Sequence, residues 1–291
     1  MTATQHLRVN GVNWAWREAG RGPLVVCLHG FPDTAHSFDE LLPVLAEAGY
    51  RAVSVFLPGY SPSGPMPGDD YTISSIARQV LALIEALGER RAILVGHDWG
   101  GMIACCAANI APQTVSRLVV LAVPHLGATR FSLAQLRKSW YVWFFQLPWW
   151  PERAVARNNY AFIDRLYAAW SPGWDPAQWQ LTPVKHALAA PGGLRAALAY
   201  YRAMIRGNNR ANFALMAAPT PVPSLWFAGA EDGSVDCRQF DGMQQAFTGP
   251  FKQVTVPGAG HFVHREAAQL FQSELIKFLA ADFSGEDQRN D

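Results

Sequence analysis

The chain contains 291 residues, a length that suits one large domain or a core with an insertion. Half of the residues are hydrophobic, 12% are aromatic and 16% are charged, which excludes a disordered chain and provides for a sizeable buried core. With 24 basic and 23 acidic residues the net charge is +1, so the composition favours neither nucleic acid nor an anionic membrane as a partner.

No secretory signal is visible at the N-terminus, and the longest apolar runs are shorter than a membrane span. The four cysteines have neither the spacing of metal ligands nor that of a disulfide framework. We therefore expect a reduced, cytoplasmic protein, either a monomer or a homodimer, that uses no metal and no organic cofactor.

Six short apolar runs, rich in β-branched residues, predict strands buried on both faces of a mostly parallel sheet. They are residues 24–28, 52–56, 92–95, 118–123, 224–228 and 253–256. Apolar residues recur with helical period over residues 73–87 and 269–279. Strands that alternate with helices favour a twisted α/β sheet flanked by helices.

The strand pattern is interrupted between about residues 125 and 218. Seven of the eleven tryptophans lie between Trp140 and Trp179, and residues 132–146 and 192–205 have helical patterns. We interpret residues 125–218 as an all-helical insertion, here called the cap, within a core made of residues 1–124 and 219–291. A second domain beside the core is the alternative, but the strand pattern that resumes at residue 224 favours an insertion.

The first chemical motif follows the predicted strand 92–95. Gly96-His97-Asp98-Trp99-Gly100-Gly101 leads directly into a helical stretch, with small residues two positions before and after Asp98. This is typical of the strand–turn–helix elbow of the α/β-hydrolase fold, in which the central residue is the nucleophile and is usually a serine. The sequence therefore predicts this fold, with Asp98 as the nucleophile.

A second motif, His29-Gly30-Phe31-Pro32-Asp33, follows the predicted strand 24–28. In this fold the loop after that strand supplies one backbone N–H of the oxyanion hole, and the residue after the nucleophile supplies the other. We therefore predict that the backbone N–H groups of Phe31 and Trp99 form the oxyanion hole.

The remaining catalytic candidates follow the last two predicted strands. His261 ends Gly258-Ala259-Gly260-His261, where the general base of this fold stands. Asp232, in Gly229-Ala230-Glu231-Asp232, is the candidate that would accept the N–H of His261 and fix its tautomer. Glu231 and Asp236 are close enough in sequence to be alternatives to Asp232.

An aspartate nucleophile changes the expected chemistry. A carboxyl group with an ordinary pKa of about 3.9 is already charged at neutral pH and needs no base to activate it. It can displace a leaving group at saturated carbon to form an alkyl ester, which water activated by His261 then hydrolyses. Halide and the oxygen of an epoxide are the plausible leaving groups, and the epoxide oxygen needs a hydrogen-bond donor such as tyrosine.

Together these four motifs resemble the epoxide hydrolases of the α/β-hydrolase superfamily, over nearly the whole chain. Tyr141-Val142-Trp143-Phe144-Phe145-Gln146 and Leu198-Ala199-Tyr200-Tyr201-Arg202 resemble the two segments of that family that carry the cap tyrosines. The resemblance implies that Tyr141 and Tyr201 hold the epoxide oxygen opposite Asp98. The alternatives are Tyr160, Tyr167 and Tyr200, of which Tyr200 is the strongest.

The implied substrates are a small apolar epoxide and water, with a vicinal diol as the product. The predicted pocket residues are Phe31, Trp99, Trp140, Phe144 and Phe145. The chain departs from the family at residues 56–61, where Phe-Leu-Pro-Gly-Tyr-Ser replaces the frequent Asp-Leu-Arg-Gly-Tyr-Gly. We expect this difference to alter how the first loop is supported.

Two other functions compete with this interpretation. A haloalkane dehalogenase would share the aspartate, Trp99 and the cap, but such enzymes commonly place a halide-binding Asn or Trp where this chain has Phe31. A non-catalytic ligand-binding protein of the same fold would not need all three members of the catalytic set, which are present here.

Overall fold

The computed structural model describes residues 3–130, 132–206 and 209–283. Eight strands of this described chain form one sheet, in the order β1-β2-β4-β3-β5-β6-β7-β8. The strands are β1 (Gln5–Val9), β2 (Val12–Ala19), β3 (Leu24–Leu28), β4 (Arg51–Phe56), β5 (Ala92–His97), β6 (Val115–Leu121), β7 (Ser224–Gly229) and β8 (Phe251–Val256). The six strands β4-β3-β5-β6-β7-β8 pair in parallel in this order, whereas β1 pairs antiparallel with β2 and β2 pairs antiparallel with β4.

The six predicted strands are present, but the sequence prediction missed β1 and β2. Most of β1 is exposed, so it lacks the continuous apolar run by which the other strands were predicted. Asn10 and Gly11 connect the two strands with φ of 45° and 85°. An Asn-Gly pair with two positive φ angles is the usual connection of a tight hairpin. The pair Asn10-Gly11 is therefore the sequence pattern that could have indicated β1 and β2.

Helices cover both faces of the sheet. They are α1 (Leu41–Glu47), α2 (Ile73–Ala86), α3 (Trp99–Ile110), α4 (Leu133–Lys138), α5 (Trp140–Phe144), α6 (Trp150–Trp170), α7 (Gln178–Ala189), α8 (Gly193–Arg206), α9 (Asn209–Ala217), α10 (Val263–Glu266) and α11 (Ala268–Ala280). Val26 and Leu28 of β3 belong to the core cluster that contains α2 and α3, and Val25 and Cys27 belong to the cluster that contains α1 and α11. Every residue of β3 is therefore buried, as expected for a central parallel strand.

Helices α4 to α9 all lie between β6 and β7, in the segment that the sequence predicted to be the cap. The single helix predicted over residues 132–146 is instead the pair α4 and α5, because Ser139 between them has a non-helical ψ of 15°. Helix α6 is interrupted at residues 157–160, where three consecutive residues have φ near +50° to +60°. Within the described ranges, no helix combines the length and hydropathy that a membrane crossing requires.

The parallel strands place the four motifs at one edge of the sheet. The loops that carry Phe31, Asp98, Asp232 and His261 follow β3, β5, β7 and β8, which all run in the same direction. Residues far apart in sequence therefore meet at the carboxyl ends of neighbouring strands, where open α/β sheets bind their ligands.

Central packing can be tested at Leu94, which is fully buried in β5. We expect Leu94→Ala to lower the free energy of unfolding by about 3 kcal/mol, because it removes buried apolar surface and leaves a cavity. Leu133→Ala is the control, since Leu133 is 70% exposed and its loss should change stability by less than about 0.5 kcal/mol. Urea denaturation measures both, and equal effects of the two substitutions would contradict this account of the core.

Candidate active site

Asp98 occupies the sharp turn between β5 and α3. Its φ of 51° and ψ of −118° are unusual for a residue with a side chain, so the surrounding structure must hold this turn in place. A Cβ atom at Gly96 would overlap the backbone of Gly100, and one at Gly100 would overlap the carbonyl of Leu28. The two glycines therefore allow the close backbone approach that presents Asp98.

The Asp98 carboxylate lies beside backbone N–H groups of two segments. The Phe31 N–H donates to Oδ1 over 2.8 Å, and the Trp99 N–H is the second backbone group that acts on this carboxylate. Gly30 is required beside it, because a Cβ atom there would overlap Cβ and Oδ1 of Asp98. The structure thus brings together Phe31, Trp99 and Asp98, the three residues predicted for the nucleophile and the oxyanion hole.

The predicted base and acid lie next to each other and to Asp98. His261 Nδ1 is 2.9 Å from Asp232 Oδ2, and His261 Nε2 is 3.7 Å from Asp98 Oδ2. The backbone N–H groups of Ser234 and Val235 donate to Asp232 Oδ1 over 2.7 and 2.9 Å. Since Nδ1 donates to Asp232, the neutral imidazole carries its lone pair on Nε2, which points to Asp98.

Neither alternative to Asp232 contacts His261 in this way. Glu231 is exposed. Asp236 accepts hydrogen bonds from the Arg238 guanidinium, 2.8 Å from Nη2 to Oδ2. The geometry therefore favours Asp232 as the partner of the imidazole.

Burial and charge shift the pKa values of the catalytic candidates. Burial raises the pKa of Asp98, and His261 together with the Phe31 and Trp99 N–H groups only partly opposes this rise. Burial alone would lower the pKa of His261, but the carboxylates of Asp232 and Asp98 more than offset it and raise that pKa above its ordinary value. The imidazole is thus more basic than a free histidine.

The two predicted cap tyrosines reach the same site. Tyr141 in α5 and Tyr201 in α8 are both buried, and their ring centroids are 5.8 Å apart. The hydroxyl of Tyr141 is 2.9 Å from Ser234 Oγ, whereas the hydroxyl of Tyr201 lies beside the Trp99 indole N–H and has no acceptor for its own proton among the described residues. Burial and the Asp98 carboxylate raise the pKa of both phenols, so both remain protonated donors at neutral pH.

Two of the alternative tyrosines donate their hydroxyl protons to backbone carbonyls away from Asp98. Tyr200 donates its hydroxyl proton to the carbonyl of Pro58, and Tyr167 donates to the carbonyl of Pro32, each over 2.8 Å. Tyr160 lies at the interruption of α6 and is only partly buried. Among the buried tyrosines of the cap, Tyr201 is therefore the one whose hydroxyl has no acceptor within the described residues.

A cavity of about 580 Å³ opens from Asp98 between the sheet and the cap. Its wall is mainly apolar and includes Trp99, Met102, Tyr201 and Met204. Helix α5 contributes the stretch Tyr141, Val142 and Trp143. This enclosure suits an apolar ligand with one polar end at Asp98.

Of the five predicted pocket residues, only Trp99 lies among the described residues that line this cavity. Phe31 and Phe145 are completely buried and pack edge to face, with ring centroids 5.6 Å apart. Trp140 is 50% exposed, and Phe144 stacks on Phe162 of α6. These four side chains are not among the described residues that line the cavity, to which α5 contributes residues 141–143, and their part in binding substrate stays a prediction.

The remaining histidines of the motifs have structural contacts. His29 accepts a hydrogen bond from the Leu57 N–H, 3.0 Å from Nε2, and its ring lies edge-on to Tyr60. This contact connects the first loop to residues 56–61, the segment where altered support was expected. Burial lowers the pKa of His29 to about 4, so its ring is neutral.

Three potential metal ligands lie close together near the ring of His261. Asp33, His97 and His264 are buried, and their candidate ligand atoms lie within 4.8 Å of one another. All three also have protein partners, because His97 Nε2 donates to the His261 carbonyl over 3.0 Å and Ser37 Oγ lies between Asp33 and His264. The expectation that the protein uses no metal stays a prediction.

Sequence reasoning missed three polar residues that support the site. Ser234 contacts both Asp232 and Tyr141, while Ser171 and Glu266 hydrogen-bond the loop that carries His261. Asp232 and Ser234 are two residues apart in a loop, a pattern typical of a turn in which the aspartate accepts backbone N–H groups. Ser171 lies 90 residues from His261, so no local pattern indicates that contact.

The fold and the site together define an α/β hydrolase. The profile of the family described as alpha/beta hydrolase fold matches residues 23–268, which is most of the chain. The protein therefore belongs to the α/β-hydrolase family.

Several known proteins are similar to this chain along nearly its whole length. AB hydrolase superfamily protein YfhM of Bacillus subtilis is 28% identical, with 94% of this chain and 97% of that protein covered. Epoxide hydrolase A of Mycobacterium tuberculosis is 28% identical, with 93% and 95% covered. The crystal structure of epoxide hydrolase A from Mycobacterium thermoresistibile is 26% identical, with 96% and 98% covered and a TM-score of 0.81.

The contact between His261 and Asp232 predicts the outcome of a titration. Asp232→Asn removes a negative charge 2.9 Å from Nδ1, so we expect the pKa of His261 to fall by about 1 or more. Asp236→Asn is the matched control, since Asp236 is in the same loop but pairs with Arg238. NMR titration of the imidazole measures both, and an unchanged pKa in Asp232→Asn would show that this carboxylate does not act on His261.

Proposed function

We propose that the protein is an epoxide hydrolase that converts an apolar epoxide and water to a vicinal diol through an ester on Asp98. The observation that carries this proposal is the arrangement around the Asp98 carboxylate. Oδ1 accepts the Phe31 N–H, Oδ2 lies 3.7 Å from His261 Nε2, and a phenol with an available proton lies across the cavity. The similarity to epoxide hydrolases supports the same reaction.

The first step uses the two carboxylate oxygens differently. Oδ1 is engaged by the Phe31 N–H, so Oδ2 is the oxygen free to attack an epoxide carbon. The carbon–oxygen bond of the ring breaks as the ester bond forms, and the released alkoxide takes a proton from a cap tyrosine. Tyr201 is the better candidate for that donor, because the Tyr141 hydroxyl already contacts Ser234.

The second step hydrolyses the ester. His261 Nε2 takes a proton from water, and the hydroxide adds to Cγ of Asp98. The negative charge that develops on Oδ1 is stabilised by the Phe31 and Trp99 N–H groups. Collapse breaks the bond from Cγ to the diol oxygen. Of the two protons of the water, one reaches the diol through His261 and the other restores the tyrosine.

The organisation of the chain fits this reaction. We propose that residues 1–124 and 219–291 form the catalytic core and that residues 125–218 form a cap that supplies the phenols and encloses the substrate. The cavity of about 580 Å³ accommodates a small apolar epoxide. We also propose a cytoplasmic location, supported by four cysteines that are all unpaired, and a monomer or homodimer.

One observation favours a second candidate function. Trp99 lines the cavity, and its buried indole N–H lies beside the Tyr201 hydroxyl without a well-formed hydrogen bond to it; such a donor suits a halide leaving group. A haloalkane dehalogenase would use Asp98, His261 and Asp232 in the same way. Release of halide from chloro- and bromoalkanes, without diol formation from epoxides, would favour this alternative.

The two-step reaction is tested by His261→Gln. We expect this variant to consume one equivalent of styrene oxide and to accumulate the ester on Asp98, because hydrolysis of the ester should slow by about 10²–10⁴-fold without the base. Intact mass spectrometry detects the adduct. Asp98→Asn is the control that should form none, and absence of the adduct in both variants would contradict a covalent intermediate.

Isotope labelling tests the same intermediate in the unaltered protein. A single turnover in H₂¹⁸O should place the label in the side chain of Asp98, because the attacking water adds to Cγ and the original oxygen leaves with the diol. Label found in the diol alone would show that water opens the epoxide directly.

The role of the phenols is tested by comparing three substitutions. Tyr201→Phe should slow formation of the adduct by about 10²-fold, as expected for loss of one donor to a developing oxyanion. Tyr141→Phe should have a smaller effect, because its hydroxyl is held by Ser234. Tyr200→Phe is the control, since its proton is donated to Pro58. Stopped-flow tryptophan fluorescence measures the rates, and slower ester hydrolysis with unchanged adduct formation would refute this assignment.

A further inference from the structure

Three consecutive backbone N–H groups around the catalytic histidine donate to two side chains outside its own loop. The Gly260 N–H donates to Glu266 Oε2 over 2.7 Å, and the Phe262 N–H donates to Glu266 Oε1 over 2.8 Å. The His261 N–H between them donates to Ser171 Oγ over 3.0 Å. A single carboxylate thus holds the residues on both sides of His261.

The same carboxylate connects this loop to the cap. Ser171, the residue after α6, donates its hydroxyl proton to Glu266 Oε1 over 2.6 Å. The backbone carbonyl of Trp170, the residue before Ser171, accepts hydrogen bonds from two N–H groups. One belongs to His261 and the other to Gly233 in the loop that carries Asp232. Glu266 therefore lies where the His261 loop, the Asp232 loop and the C-terminal end of α6 in the cap meet.

We propose that Glu266 is a positioning residue for ester hydrolysis, which fixes the His261 loop so that Nε2 is aimed at the water that attacks Asp98. The inference rests on the proposed function. Attack by Asp98 on the epoxide does not use His261, so it does not depend on this loop. The activation of water does, because a base must lie within hydrogen-bond distance of the proton that it removes.

Glu266 also acts on His261 through its charge. The groups that face His261 are the carboxylates of Asp232, Asp98 and Glu266 and the buried rings of His97 and His264. The Glu266 carboxylate is one of the groups that raise the pKa of His261. Its replacement by a neutral side chain should therefore let His261 lose its proton at lower pH.

The test is single-turnover kinetics of Glu266→Gln with styrene oxide. The donors to Glu266 are the Gly260 N–H, the Phe262 N–H and the Ser171 hydroxyl. A glutamine has one acceptor oxygen instead of two, so at least one of these donors loses its partner. We expect ester hydrolysis to slow by about tenfold. Formation of the adduct should stay within about twofold, and the pH midpoint of ester hydrolysis should move to lower pH.

Matched variants separate this role from a general loss of stability. Glu274→Gln in α11 also removes a carboxylate, one that pairs with Lys252 and Lys277 away from the site, and should change neither step. Ser171→Ala keeps Glu266 but removes its link to the cap, and should slow ester hydrolysis by a smaller factor. It provides the test if Glu266→Gln does not fold.

Two results overturn the proposal for Glu266. One is unchanged ester hydrolysis with an unchanged pH midpoint in Glu266→Gln or, if that variant does not fold, an unchanged rate of ester hydrolysis in Ser171→Ala. The other is an equal slowing of both steps, which indicates a structural role alone. Failure of the unaltered protein to form an adduct or a diol refutes the proposed function itself, and the inference about Glu266 with it.

Discussion

The site depends on the approach of one carboxylate to the backbone of a neighbouring loop. Asp98 Oδ1 accepts the Phe31 N–H over 2.8 Å, a contact possible only because no Cβ atom stands at Gly30. Gly96 and Gly100 permit the turn at Asp98 itself. Three glycines, one in the loop after β3, one in β5 and one in α3, are therefore required before any catalytic chemistry can occur. The strained φ of Asp98 is tolerated because the sheet and α3 fix both sides of the turn.

The parts of this arrangement that were predictable are those encoded by adjacent residues. The elbow at Asp98, the Phe31 loop and the glycines before His261 are short motifs beside apolar strands, so sequence alone could place them. Asp232 could only be ranked above Glu231 and Asp236 until the structure showed its 2.9 Å contact with His261. The sequence alone therefore identified the motifs, whereas the choice among Asp232, Glu231 and Asp236 required the geometry of the structure.

What the sequence could not provide was the direction of side chains in the cap. The cap is rich in aromatic residues, yet Tyr141 of α5 and Phe145, which follows that helix, are buried, whereas Trp140 of α5 is half exposed. A helix of five residues is too short to show an amphipathic pattern, so the sequence could not indicate that Tyr141, Val142 and Trp143 are the residues of α5 that line the cavity. Contacts such as that of Ser171 with His261 join distant segments and have no sequence signature.

The charges of the site suggest how the first half of the proposed reaction prepares His261 for the second. In the free enzyme the carboxylates of Asp232 and Asp98 both raise the pKa of His261. Once Asp98 becomes a neutral ester, one of these two charges is gone, so the pKa of His261 must fall. The imidazole therefore loses its proton more readily after the ester has formed, which is when the reaction requires a neutral base. Esterification of the nucleophile would in this way prepare the base for the second step.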